Sequence, residues 1–170
     1  MIVRPAQRED LLDIGRVAEA AHWVSYEGLL RPDTIGQLIS RDFGPASLAR
    51  RLLRGGLSVV SLGADVIAFA DAETVDGALH VGMIAVLPPQ RRRGAGSALL
   101  RTFDQGALHL PLRADVLVGN LEGESFYEAN GFVPGETITS EIFAEEIVEQ
   151  RWWREPEANL DAVGPAARGR

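Results

Sequence analysis

The sequence predicts a mixed α+β domain, a sheet built around antiparallel hairpins with helices on its faces. Three observations predict it. Helical periodicity fills most of the first 54 residues, three short apolar runs separated by turn residues follow, and the chain then alternates strand, helix and strand. At 170 residues the chain is one ordinary domain, long enough for a core of several strands and helices.

Ile2-Val3-Arg4-Pro5 reads as a short first strand. Gln7 to Ala21 follows as an amphipathic helix, with Leu11, Ile14, Val17, Ala18 and Ala21 on one face and Arg8, Glu9, Asp13, Arg16 and Glu19 outside. His22, Trp23, Ser25 and Tyr26 crowd the connection to Leu29-Leu30. Pro32-Asp33-Thr34 starts a second helix through Ile39. Pro45 to Arg54 is a third, with proline in its first turn and Gly55-Gly56 as its stop. Leu57 to Leu62 turns at Gly63-Ala64-Asp65 into Val66 to Thr74, and the hairpin signal Asp76-Gly77 leads into Ala78 to Leu87.

Pro88-Pro89 cannot continue a paired strand. Arg91-Arg92-Arg93 and Gly94-Ala95-Gly96 come next, then a helix with Leu99, Leu100 and Phe103 on one face, ending near Gln105-Gly106. Leu112 to Gly119 is a strand, and Gly123 to Asn130 a short helix closed by Gly131. Glu136 to Trp153 holds the last strands. Residues 1 to 154 are thus expected to form the domain, and 155 to 170 a tail of proline, glycine, alanine and arginine without period.

Composition bounds the function. Apolar residues make up 46% and charged residues 24%, which is globular. No apolar run reaches the roughly 18 residues of a membrane span, and Met1 to Pro5 lacks the apolar core of a secretory signal. Without cysteine, disulfides and thiolate metal sites are excluded; no metal is expected, and a cytoplasmic location is the default. Acidic residues exceed basic ones by 24 to 17, which argues against general nucleic-acid binding and favours cationic partners.

The turn from Arg91 to Ser97 carries the first chemistry. Strand, basic glycine-rich turn and helix, in that order, aim a helix N-terminus and several backbone N–H groups at one spot, which attracts phosphate. Gly94 and Gly96 let the main chain come close to a ligand and take φ > 0 where needed, and the arginines add charge-assisted bonds. A P-loop needs G-x-x-x-x-G-K-[ST], but that spacing is missing and the chain has no lysine. A dinucleotide fingerprint needs a third glycine where Leu99 stands. A solvated basic surface turn is the plain alternative.

Arg91-x-x-Gly94-x-Gly96 after a strand resembles the pyrophosphate-binding motif of the GNAT-type acyl-CoA N-acyltransferases. A second block, Asn120-Leu121-Glu122-Gly123-Glu124-Ser125-Phe126-Tyr127-Glu128-Ala129-Asn130-Gly131-Phe132, is similar to that family's N-x-x-(small)-x-x-F-Y-E-x-x-G-F pattern at every position. The resemblance spans residues 2 to about 154. It implies a mostly antiparallel sheet of six to seven strands, splayed at the cofactor cleft and flanked by about four to five helices. It further implies that the amides of Arg91, Arg92, Arg93, Gly94, Ala95, Gly96 and Ser97 hold the pyrophosphate of acetyl-CoA. The main chain of Ile84, Ala85 and Val86 would pair with the pantetheine arm, and Asn120 would bond the arm from the far side.

The implied activity is N-acetyltransfer from acetyl-CoA to a primary amine by direct attack in a ternary complex. No cysteine and no nucleophile-elbow serine is present to form a covalent enzyme intermediate. Tyr127 matches the family's general acid, with a core aromatic as its structural reading. His80 stands as a candidate base, on the face of Gly82, Ile84 and Val86 if its strand stays regular; a bulge would flip it. Asp71 and Glu73 on the preceding strand are the other candidates. His22, Trp23 and Tyr26 sit where the family caps the acceptor, a small-molecule or peptide amine, and His109 reads as loop. Arg151-Trp152-Trp153-Arg154 is expected to pack in a homodimer interface or against the tail. A non-catalytic acyl-CoA-binding protein of the same fold remains the alternative.

Overall fold

A computed structural model gives the fold and describes residues 1–106 and 109–156; most of the expected tail lies outside the described residues. The elements run β1 (Ile2–Pro5), α1 (Leu11–Tyr26), α2 (Pro32–Phe43), α3 (Pro45–Arg54), β2 (Leu57–Leu62), β3 (Asp65–Val75) and β4 (Ala78–Val86). After β4 come α4 (Ala95–Gly106), β5 (Leu112–Leu117), α5 (Leu121–Ala129), β6 (Val133–Ile142) and β7 (Glu145–Arg154). The strands form one seven-stranded sheet in the order β1-β2-β3-β4-β5-β7-β6. Every neighbouring pair is antiparallel except β4 and β5.

Strand alternation sorts the core into two layers. On one face Ala68, Ala70 and Ala72 of β3, Val81 of β4, and Ala114 and Val116 of β5 pack against Leu99, Leu100 and Phe103 of α4. On the other, Ile14, Val17, Ala18 and Ala21 of α1 meet Leu48, Val59, Phe69 and Ala85. α1 extends five residues past its expected end at Ala21. Its last turns are held by His22, whose ring lies 4.9 Å from that of Phe43 on α2. Residues 22 to 26, expected as a connection, are therefore helix.

Two irregularities in β4 position the site. The strand pairs with β5 only at Leu79↔Leu112 and His80↔Arg113, and beyond these the two strands part. Against β3 the register steps from Ala72↔Val81 to Asp71↔Met83, which leaves Gly82 as an extra, bulged residue. The bulge reverses the alternation. Leu79 and Val81 before it, and Ile84 and Val86 after it, all pack on the α4 side, whereas Met83 packs on the α1 side. His80 thereby lies on the face opposite Ile84 and Val86, not with them as a regular strand would have it.

The Arg151-Trp152-Trp153-Arg154 stretch, expected to pack in a homodimer interface or against the tail, also makes contacts within the described residues. Trp152 is buried in the α4-side core. The Arg113 guanidinium lies 5.9 Å from the Trp153 ring, and that of Arg154 lies 4.8 Å from Phe132. Arg151 holds Asp115 and Glu136.

Candidate active site

Where β4 and β5 separate, a cleft of about 900 Å³ opens between the C-terminal end of α1, the turn before α4 and the start of α5. Its size is that of a small-molecule site. One wall is the main chain of β4 from Val81 to Val86, unpaired on its β5 side because the parallel ladder stops at His80. Such an edge can bond an extended ligand as an added strand would. The expected residues Ile84, Ala85 and Val86 all line it.

The turn before α4 forms the mouth. Arg92 and Gly94 both take left-handed backbone, φ 59° and 85°. Alternation of this kind turns successive N–H groups toward one concavity suited to an anion. Among the described residues, Arg91 is the one in this turn whose amide is bonded to backbone, at 3.3 Å from the Pro88 carbonyl; the helical ladder begins with Ala98 donating to Gly94 at 2.9 Å. The amides from Arg92 to Ser97 thus remain for a ligand, and with the helix dipole behind them they fit a diphosphate. The two glycines serve different ends. Gly94 supplies the positive φ, whereas a Cβ on Gly96 would meet the Phe126 ring of α5 at 2.9 Å.

The three arginines also differ. Arg91 spans the cleft mouth, ion-paired to Glu122 and donating to Ser25 Oγ at 3.2 Å and to the Val86 carbonyl at 3.4 Å. Arg93 donates to Gln90 Oε1, and Arg92 is exposed with its side chain free among the described residues. Asn120 caps α5, its Oδ1 accepting from the Gly123 amide at 3.1 Å, and the residue lines the cleft.

Tyr127 lies deep in the cleft, its ring edge-on to Phe126 and Phe132 at 5.2 and 5.0 Å. Burial first, then the nearby Tyr26 phenol and the Asp115 carboxylate, push its phenol far above the ordinary value. It is therefore a protonated donor at any physiological pH. Its hydroxyl has no hydrogen-bond partner among the described residues.

The acceptor candidates divide. His22 and Tyr26, one helical turn apart, both line the cleft, their rings edge-to-face at 5.3 Å. Trp23 points about 100° away around the helix and borders a separate groove with Arg41 and Phe143. Burial and the Glu149 carboxylate push the Tyr26 phenol up to about 12.

None of the three expected bases lines the cleft. Asp71 is 2% exposed and held by Arg51 and Arg54, the latter at 2.6 Å, so it serves to pin α3 to β3. Glu73 pairs with Arg54 at 3.2 Å at the sheet surface. His80, turned by the bulge, has its Nε2 at 3.7 Å from Asp115. Burial holds its imidazole below the ordinary value against the opposing pull of that carboxylate. Asp115 itself does line the cleft, although both its oxygens are taken by Arg151 at 2.7 and 3.0 Å. Sequence reasoning missed it. Its one signal was a charged pair, Arg113 and Asp115, inside an otherwise apolar strand.

Among the described residues no cluster of side chains suits a metal ion, and no helix is long and apolar enough to cross a membrane.

Residues 54–134 match the family model described as an acetyltransferase (GNAT) domain. Among solved structures the fold is similar to that of the PaiA N-acetyltransferase from Thermoplasma acidophilum in complex with coenzyme A, with TM-score 0.77 and 19% identity over 88% of this chain and 96% of that one. It is also similar to a GCN5-related N-acetyltransferase from Rhodopseudomonas palustris, at 0.76 and 20% identity over 91% and 94% of the two chains. A putative GNAT-family acetyltransferase from Desulfovibrio desulfuricans superposes at 0.69, with 18% identity over 91% and 98%. No curated protein matches the sequence.

Proposed function

We propose that this chain, whose residues 54–134 match the model of an acetyltransferase (GNAT) domain, moves an acetyl group from acetyl-CoA to a primary amine by direct attack within a ternary complex. The observation that carries the reading is the junction of two unpaired main-chain surfaces at one cleft. The amides of Arg92 to Ser97 meet the open edge of β4, and Tyr127 projects into the space between β4 and β5.

Acetyl-CoA would supply the activated thioester. The amides at the head of α4 would hold its diphosphate, helped by the free Arg92 side chain. The β4 edge from Ile84 to Val86 would fix the pantetheine arm, with the Asn120 amide group opposite. An N–H of that edge would stabilise negative charge growing on the carbonyl oxygen. Tyr127, kept protonated by burial, would donate its proton to the departing sulfur. The acceptor would enter from the side of His22 and Tyr26. A cytoplasmic location and a small-molecule or peptide amine complete the reading.

The test is thiol release from acetyl-CoA by the whole chain with a panel of polyamines, amino acids, aminoglycosides and peptides. Amine-dependent release is expected, and Tyr127→Phe should lower kcat by ~10²-fold, the scale of general acid catalysis, with coenzyme A affinity unchanged in calorimetry. Release by none of the amines, with coenzyme A still bound, would replace the enzyme with an acyl-CoA-binding protein. Full activity in the variant would take the proton donation away from Tyr127.

A further inference from the structure

An amine attacks a thioester only as its proton departs, so the cleft must hold a group able to take that proton. The titratable side chains that line it are His22, Tyr26, Arg91, Arg92, Asp115, Glu122 and Tyr127. Both phenols are kept protonated by burial, and the arginines are cations. Asp115 spends both oxygens on Arg151, and Glu122 is paired with Arg91. His22 alone is left among the described residues.

Its geometry suits the task. The ring is 4% exposed, set between Tyr26 at 5.3 Å and Phe43 at 4.9 Å. Nδ1 lies 2.7 Å from the Ala18 carbonyl, one turn back on α1. A carbonyl oxygen only accepts, so Nδ1 must carry the hydrogen and Nε2 the lone pair. Among the described residues the buried polar side-chain atoms without partners are Thr34 Oγ1, Arg113 Nε and Trp152 Nε1, and His22 Nε2 is not one of them. With no hydrogen-bond partner among the described residues either, it is open to the cleft that the residue lines.

We propose that His22 Nε2 is the general base of the transfer, a role that rests on the acetyltransferase reading above. As the amine nitrogen forms its bond to the acyl carbon and the carbon–sulfur bond breaks, Nε2 takes the proton shed by the nitrogen. Tyr127 gives its own proton to the sulfur. The imidazolium then loses its proton to solvent and Tyr127 regains one from solvent, so the products are amide and thiol with no net change of protons.

The ring packs against Tyr26 on α1 and Phe43 on α2, Arg51 of α3 lies over that same Phe43, and Asp42 on α2 is the charged group whose field reaches the imidazole. Burial holds the imidazole below its ordinary value, against the Ala18 carbonyl and then Asp42, both of which favour the charged ring. The base is thus in its working form at neutral pH, and kcat/KM gains an acid limb below the ordinary imidazole range.

Nitrogen-15 NMR of the histidine rings in the free, full-length wild-type protein, together with pH-rate profiles, tests this. His22 is expected as the neutral Nδ1–H tautomer at pH 7, charging only below the ordinary imidazole range. His22→Gln should bind coenzyme A like wild type, lose kcat by ~10²-fold and lose the acid limb. His22→Ala should regain rate with added imidazole. An Nε2–H tautomer or a charged ring at pH 7 overturns the proposal even if the variants fail to fold. So does a folded His22→Gln protein with wild-type kcat. A wild type that binds coenzyme A but acetylates no amine overturns the acetyltransferase reading itself, and the base with it.

Discussion

At the scale of single residues, the cleft mouth separates two kinds of glycine and a restrained arginine. Gly94 has φ 85° and nothing within 4 Å of where a Cβ would stand, so a side chain there disturbs backbone, not packing. A left-handed conformation costs an L-residue roughly 1–2 kcal/mol, and relaxing it would turn the amides that follow. Gly94→Ala should therefore weaken coenzyme A binding by about tenfold in calorimetry, close to 1.4 kcal/mol, with little loss of melting temperature; unchanged affinity would remove the diphosphate from those amides. Arg91 presents the opposite case, a cation already spent on Glu122 and Ser25. Glu122→Gln removes its competing anion. Tighter coenzyme A binding with a steeper salt dependence is expected, and weaker binding would mean that the pair holds the cleft in its binding shape.

Elements meet the site through close contacts that no single segment specifies. The head of α4 lies so near α5 that a methyl at position 96 would press on Phe126, whose ring is edge-on to Tyr127 at 5.2 Å. Gly96→Ala is expected to lower the melting temperature, and Phe126→Leu placed beside it to restore part of the loss. Additive effects in that double-mutant cycle would show that the two residues do not press on each other. The β4 bulge at Gly82 acts on the same scale. By turning His80 toward Asp115 and Met83 toward α1, it decides which side chains face the cleft. The extension of α1 to Tyr26 has a similar effect, setting His22 and Tyr26 on the cleft and Trp23 off it.

For the whole molecule, one buried ion pair closes the N-terminal corner. Asp10 accepts two bonds from Arg4 at 2.7 and 2.8 Å, and one from the Gln7 amide at 2.7 Å, tying β1 to the start of α1. The Arg4 guanidinium first, and the Gln7 amide after it, hold the Asp10 carboxyl below the usual range despite its burial. A depressed carboxylate contributes stability that is complete above its unfolded value, near ~3.9, and lost as the pH falls through the folded one. Asp10→Asn should accordingly melt below wild type at neutral pH, with the gap closing in strong acid. A gap that persists there would trace to packing. The architecture and the glycine turn before α4 were legible in the sequence because their causes are local. Gly94 is needed for one φ value, Pro88-Pro89 end a strand, and Asn120 caps the helix that carries Tyr127. What the tertiary structure alone decided depends on partners distant in the chain. The bulge exists only against β3, Asp71 is claimed by arginines from α3, and α1 outlasts its periodic pattern because His22 finds Phe43. Local chemistry set where the cofactor chemistry would lie; strand register and helix packing chose the groups that face it.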